Sequence, residues 1–414
     1  MVKNKKGFIS MTLVYTFLII FMFLMLAILR TYQEKDKFLE AINSQIDSDI
    51  SVNNGTRALV INKLLEDNTP QPIGMLHLFN AANNGLGNGN GLFYMDSDDL
   101  TDENSDGHTS RIYFFRGTVE NNYALYNGMC FRILRTNEDG SIRLLFDGLT
   151  STSNCNKTSV KDIGTSSYYC VDRTNDGFAC DAPNHVDYVK VEEGASSIPT
   201  ADENNDQSNI IKYLNDWYAT HFLVTKTNGT NEYFSNDVSK NSIFCNDKSI
   251  YGTNAGVNYF GSKGLVPRFK DPTNRNIYDF NAITNDVSLK CSSSTDRFSV
   301  LDQSLQYPVG LLTAQEVVLA GGYLTSDDDE YNGGASLITN ESYFLYYEKD
   351  YWTMSPYSFE SSTDTAKVVY VDTQGTLRGG NVNDKKAIRP VISLNSNISI
   401  ESGQGTRSKP YILK

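Results

Sequence analysis

Residues 8–29 form an apolar run of 22 residues with no charge in it, bounded by Lys6-Gly7 and by Arg30. At about 1.5 Å per residue a helix of this length reaches roughly 33 Å, enough for a ~30 Å hydrocarbon core. A cleaved secretory signal has a shorter apolar region and a small-x-small site behind it. Here Arg30, Thr31, Tyr32 and Gln33 follow, so the pattern predicts a retained span. Lys3, Lys5 and Lys6 hold the leader, residues 1–7, in the cytoplasm, which puts the rest of the chain across the membrane. The pattern then turns helical: Phe38, Leu39, Ile42, Ile46 and Ile50 share a stripe that Asn53-Asn54-Gly55 breaks. A second short helix is predicted over about residues 57–66, with Pro70 and Pro72 stopping it. Residues 30–72 thus read as a helical stalk, 73–110 as a linker with an acidic loop, and 111–414 as a β-rich head.

Within the head the period falls to two. YFFRG, NNYALYNG, CFRILRT and SIRLLFD read as successive strands, and Asn137-Glu138-Asp139-Gly140 turns the last pair into a hairpin. Ile142, Leu144 and Phe146 point to one face of the last strand, Arg143, Leu145 and Asp147 to the other. Residues 150–206 are irregular and carry three cysteines, as an excursion held by disulfides would. A helix follows, with Ser208 as its cap and Ile210, Leu214, Trp217 and His221 on one stripe. Trp217 reads as core, and His221 as a last-turn residue where positive charge is favoured. Thr313-Ala-Gln-Glu316 is a capping box opening another helix, which Gly321-Gly322 ends. Strands resume after Asn340, with one hairpin turn at Thr373-Gln374-Gly375. The class expected is α+β: a transmembrane and stalk helix, then a β-rich extracellular head with a few short helices.

Charge narrows the partners. With 49 acidic residues against 36 basic and a net charge of −13, the chain lacks the clustered Lys and Arg that phosphate contacts need, and no nucleic acid is expected. The 25 tyrosines and many Asn, Ser, Thr and Gly suit either half-buried strands or binding loops. All six cysteines follow the span, and an even number in an exported region suggests disulfides. No C-x-x-C pair occurs and the four histidines sit at no ligand spacing, which argues against structural zinc.

Few segments resemble chemistry. Gly85, Gly87, Gly89 and Gly91 lack the following Lys-Ser or Lys-Thr of a phosphate loop and read as flexible linker. Asp102, Asn104, Asp106 and Gly107 match the first half of a calcium loop, but Tyr113 stands where the bidentate Glu belongs. A solvated acidic loop is the simpler reading, with a loose calcium site at Asp102, Asn104 and Asp106 as its alternative. No G-x-S-x-G or H-E-x-x-H occurs, and no carboxylate pair is singled out by spacing. No catalytic residue is therefore assigned, and no cofactor beyond that calcium.

Lys6-Gly7-Phe8 ahead of an apolar helix resembles the prepilin-type leader of type IV pilins and pseudopilins. The resemblance implies cleavage between Gly7 and Phe8 by a prepilin peptidase. The usual glutamate at the fifth mature position is replaced by Thr12, which weighs against filament assembly; a plain uncleaved signal anchor is the other reading. Further on, the succession YFFRG, NNYALYNGMCFRILRTNEDGSIRLLFDG, SNIIKYLNDWY, SIFCND, SLKC, YPVGLLTAQEVVLAGG, YWTMSP, VVYVDTQGTLRGG and AIRPVISL resembles a set of surface proteins of anaerobic gut Firmicutes. It covers roughly residues 90–414. The closing blocks, with Trp352, Ser355, Pro356, Arg389 and Pro390, are also similar to the C-type-lectin-like fold of formylglycine-generating enzymes. That enzyme's late cysteine pair is missing, since the last cysteine is Cys291, so the activity is not carried over. Where many relatives have Trp-Arg-Ile, this chain has Cys130-Phe131-Arg132-Ile133. The blocks SIFCND and SLKC imply a Cys245–Cys291 bridge, which by chain entropy would add roughly 4 kcal/mol at most. Together these likenesses imply a single-pass, membrane-anchored surface protein without enzymatic activity, whose head binds glycan or a host or surface protein. A minor pilin or pseudopilin is the alternative, and an extracellular hydrolase a more distant one.

Overall fold

The computed structural model describes residues 58–72, 90–97, 110–168, 172–173, 178–179, 208–226, 233–245, 250–254, 257–260, 269–271, 274–278, 289, 291, 297–322, 343–360 and 365–414. The span at 8–29 and the first stalk helix lie outside them. No described helix is long and apolar enough to cross a membrane. The compact unit runs from Leu59 to Lys414, and it is β-rich with few helices, within the α+β class.

A ten-stranded sheet holds the centre. Its strands in chain order begin with β1 (Gln71–Pro72), β2 (Gly91–Ser97), β3 (Ser110–Arg116), β4 (Tyr123–Tyr126), β5 (Met129–Thr136) and β6 (Ile142–Leu149). β5 pairs with β4 along its first half, with β3 at Arg135, and with β6 along its other edge. β6 then takes Val391–Leu394, and β4 takes the C-terminal strand Tyr411–Leu413 in parallel. Two-residue alternation accounts for these strands, and the 137–140 turn closes as the sequence suggests. Gly140 has φ +77°, and the Asn137 amide donates to Ser141 O at 2.8 Å.

Both faces of the β5–β6 hairpin are covered. Phe146, with Phe131 beside it, meets the helix Asn209–Phe222, whose Ile210, Leu214, Trp217, Tyr218 and Phe222 are buried. Phe146 and Trp217 meet edge to face at 5.5 Å. The opposite face carries Arg132, Arg143 and Asp147 and is no less buried. There Arg143 meets Glu316 and Phe244, Arg132 lies over Phe344, and Asp147 meets Arg389. A second, seven-stranded sheet is built from Ile250–Asn254, Val257–Phe260, Tyr351–Glu360, Thr365–Val371, Leu377–Asn381 and Lys385–Ala387, with β7 (Thr165–Ser167) at its edge. The predicted turn at residues 373–375 joins two of its strands, with Gly375 at φ +81°.

The closing blocks owe their residue types to this packing. Trp352 is fully buried and donates Nε1–H to Ser166 O at 3.0 Å. Ser355 Oγ accepts the Ala314 amide at 2.9 Å. Arg389, 1% exposed, donates to Phe146 O and Asp147 Oδ1, both at 3.2 Å. A buried guanidinium needs such partners for each N–H, and here the backbone supplies most of them.

Two sequence boundaries move. The second helix spans Ala58–Asp67, near its predicted place, but it belongs to the compact unit and not to a free stalk. Val60 and Leu64, one turn apart, are buried, and Tyr411 Oη donates to Asp67 at 2.8 Å. The linker expected over 73–110 contains β2, fully paired with β3 from Gly91 to Ser97, with Leu92, Phe93 and Tyr94 buried. Four consecutive apolar and aromatic residues, LFYM, form this strand directly after the glycine-rich approach. Ser208 occupies the N-cap of its helix, but its side chain makes no capping bond.

The C-terminal loop is fixed by close backbone approach. Tyr123 N donates to Gly405 O at 2.7 Å, and Gly405 has φ +70° with space for a Cβ only 2.2 Å from Asn121 O. Gly405→Ala is expected to lower stability by about 2 kcal/mol or more, because neither the dihedral nor the facing backbone can yield cheaply. A shift of the urea midpoint at unchanged m-value reads it.

Candidate functional site

The mouth of the β5–β6 hairpin opens into a cleft of about 450 Å3, solvent-open space included. Its walls are the hairpin end, the segment 241–245, and the start of the helix Ala314–Leu319. The capping box seen in the sequence forms: Glu316 N donates to Thr313 Oγ1 at 3.2 Å, and Thr313 N to Glu316 Oε2 at 3.0 Å. That reciprocal bond uses one carboxylate oxygen of Glu316 and leaves the other, Oε1, for the hairpin.

Two arginines reach Oε1. Arg135 approaches with Nε at 3.0 Å and Nη2 at 2.9 Å, and Arg143 with Nε at 2.5 Å. The three side chains are 6%, 1% and 2% exposed for Arg135, Arg143 and Glu316, so the trio holds one surplus positive charge out of water. Burial alone would raise the Glu316 carboxyl; Arg143, Arg135 and the Thr313 amide outweigh it and hold the group below its ordinary 4.5. Burial lowers the Arg143 guanidinium to about 10, against the pull of Glu316. Arg143 also lies over the Phe244 ring at 4.0 Å, and its Nη1 donates to Ile243 O at 3.1 Å and Ser242 Oγ at 3.3 Å. Its Nε, in ionic contact with Glu316, and its Nη2 are both buried with no hydrogen-bond partner among the described residues.

Polar side chains extend the trio. Asn137 donates to Ser141 Oγ at 2.8 Å and Ser393 Oγ at 3.2 Å, and Ser242 and Ser393 share a bond at 3.0 Å. Asn241 and Asp139 stand at the rim, where Asp139 accepts from Ser141 N at 2.9 Å. The back of the helix is held as well: Arg116 donates to Val318 O at 2.7 Å and Leu319 O at 2.9 Å, meeting the carbonyls a helix end leaves open.

A disulfide joins Cys245 to Cys291 and fixes the wall that carries Phe244. A second joins Cys130, in β5, to Cys155. This bridge ties the irregular segment after β6 to the central sheet, beside Tyr123 and Leu125. Gly7, Phe8, Asp102, Asn104 and Asp106 lie outside the described residues. Tyr113 is buried in β3 opposite Tyr94, with its amide bonded to Thr136 Oγ1 at 3.0 Å. It is a strand residue, which accounts for the broken calcium-loop pattern. No group of metal ligands occurs among the described residues. His221 differs from expectation: burial lowers its pKa from 6.5, so the neutral ring is favoured beside Trp217.

Sequence reasoning passed over Arg135, Arg143 and Ser242 and saw Glu316 only as a cap. The available signal was an arginine at facing positions of two otherwise apolar strands, RILRT and SIRLLF. Comparison with known proteins finds no matching family model, curated protein or solved structure.

Acid should separate the trio. Because the folded Glu316 pKa lies below the unfolded 4.5, its contribution is complete above that value and is lost as pH falls through the lower folded one. Stability measured from pH 6 downward should therefore drop more steeply in the wild type than in Glu316→Gln, which has no carboxyl to protonate.

Proposed function

We propose that this is a membrane-anchored surface protein whose β-rich head binds an extracellular ligand at the hairpin cleft without transforming it. The observation that carries the reading is the pair of disulfides in the head, downstream of an uninterrupted apolar run with a lysine-rich leader. Disulfides persist where the compartment is oxidising, and the leader's charge directs the head there. The cleft supports binding because its polar groups are held by packing and a covalent tie, a preorganised arrangement that lowers the cost of association. The C-type-lectin-like likeness of the closing blocks favours glycan as the ligand. Full-length protein in detergent, applied to a glycan and mucin array, should retain a defined subset of glycans; retention of none removes the binding reading.

Lys6-Gly7-Phe8 favours a second reading, a minor pilin or pseudopilin. Intact mass of the protein from its native membrane separates the two. A chain starting at Met1 fits the anchor, whereas a methylated amine at Phe8 moves the protein to the filament reading.

A further inference from the structure

Within the binding reading just proposed, the trio at the cleft specifies the ligand's charge. We infer that the cleft takes a single carboxylate, carried by an acidic sugar, onto Arg143. Four observations lead there. Arg143 is 1% exposed and lines the cleft, and its Nη2 is unpartnered among the described residues. The guanidinium is planar, so Nη2 lies between the edge that meets Glu316 and the edge that meets Ser242 and Ile243. All three of those residues line the same cleft, so the orphan donor sits in its wall, just beneath the accessible surface. Finally, two buried guanidiniums share one carboxylate, Glu316 Oε1.

The chemistry that completes this arrangement is one negative charge with a planar pair of acceptor oxygens, since a carboxylate accepts from a guanidinium edge in charge-assisted bonds. A phosphate dianion fits less well, because only one positive charge is in surplus and the Glu316 carboxylate lies beside it. An amine is repelled outright. At the rim, Asp139 and the exposed Asn241 offer an acceptor and an amide to hydroxyl groups, and Asp139 opposes a second negative charge on the ligand. That combination suits a monoanionic polyol and disfavours an acidic peptide. The cleft has about 20 Å3 open to the centre of a water, space for one small polar group such as a carboxylate, so the ring that carries it stays outside in solvent. Seating the carboxylate draws Nη2, buried at rest, toward the mouth.

The test uses the full-length protein in detergent, titrated calorimetrically with galacturonate, galactose and acetate at low salt. Galacturonate should bind at least tenfold more tightly than galactose, with acetate between them. Asn241→Asp places a second charge at the exposed rim, where folding is not at stake, and should weaken galacturonate at least tenfold more than it weakens galactose. Arg143→Lys keeps the charge but loses the planar fork, and should weaken galacturonate at least tenfold if its far-ultraviolet spectrum and melting remain those of a folded protein. Equal binding of galacturonate and galactose, or galacturonate binding indifferent to Asn241→Asp, overturns the inference. So does absence of galacturonate binding in a protein that still retains neutral glycans on the array, and that outcome leaves the binding function standing. Absence of both removes the two together.

Discussion

Replacing Glu316 by Gln is expected to destabilise the head by about 3–5 kcal/mol, the usual cost of removing one partner from a buried ion pair. The magnitude follows from what remains. Arg135 and Arg143 would stay buried side by side, with the shared Oε1 no longer charged. The same change weakens the capping box, since a Gln can still accept the Thr313 amide but without its charge. Arg143 lowered to about 10 already shows how little compensation the site has to spare. Chemical denaturation of Glu316→Gln beside Arg143→Met reads this directly. The double variant should recover part of the loss, because removing one guanidinium with the carboxylate returns the buried surplus to the single positive charge of the wild type. A Glu316→Gln protein as stable as wild type would mean the trio is not held out of water.

The second large effect is covalent. Breaking Cys245–Cys291 removes a constraint across a sequence separation of 46, and breaking Cys130–Cys155 one of 25. Chain entropy assigns these about 4 and about 3.5 kcal/mol respectively. The two losses should differ in kind. Cys130 and Cys155 are both buried in the core, so Cys130→Ser/Cys155→Ser should also disturb packing around Tyr123. Cys245→Ser/Cys291→Ser should release the cleft wall carrying Phe244, the ring under Arg143. Urea unfolding gives both stabilities, and ligand titration should be impaired by the second pair of substitutions much more than by the first.

Much of the head was legible because it is built from local signals. Period-two alternation marked β3 to β6, glycine at 140 and 375 marked two hairpin turns, and a capping box marked the start of the helix Ala314–Leu319. Each of these depends on residues within a few positions of one another. What the sequence hid is what depends on distant partners. Nothing local says that Asp67 meets Tyr411, so the second helix looked like stalk. Nothing local says that Arg143 and Arg135 converge on a carboxylate 173 and 181 positions away. Arg143 looked outward from a strand whose other face was apolar, and an outward face normally meets water. Here a second layer covers it, and the charge becomes an interior feature. The block containing Arg389 gave a likeness without a role; its burial against Phe146 and Asp147 makes it part of the core that braces β6.

The placement of the head outside the membrane is tested most directly on intact native cells, by brief protease treatment followed by mass spectrometry of the released peptides. Peptides from residues 111–414 should be released from unbroken cells, with Cys245 and Cys291 recovered as one disulfide-linked pair, while residues 1–7 stay protected until lysis. A head that is released only after the cells are broken, with both cysteines open to alkylation without reductant, would contradict it.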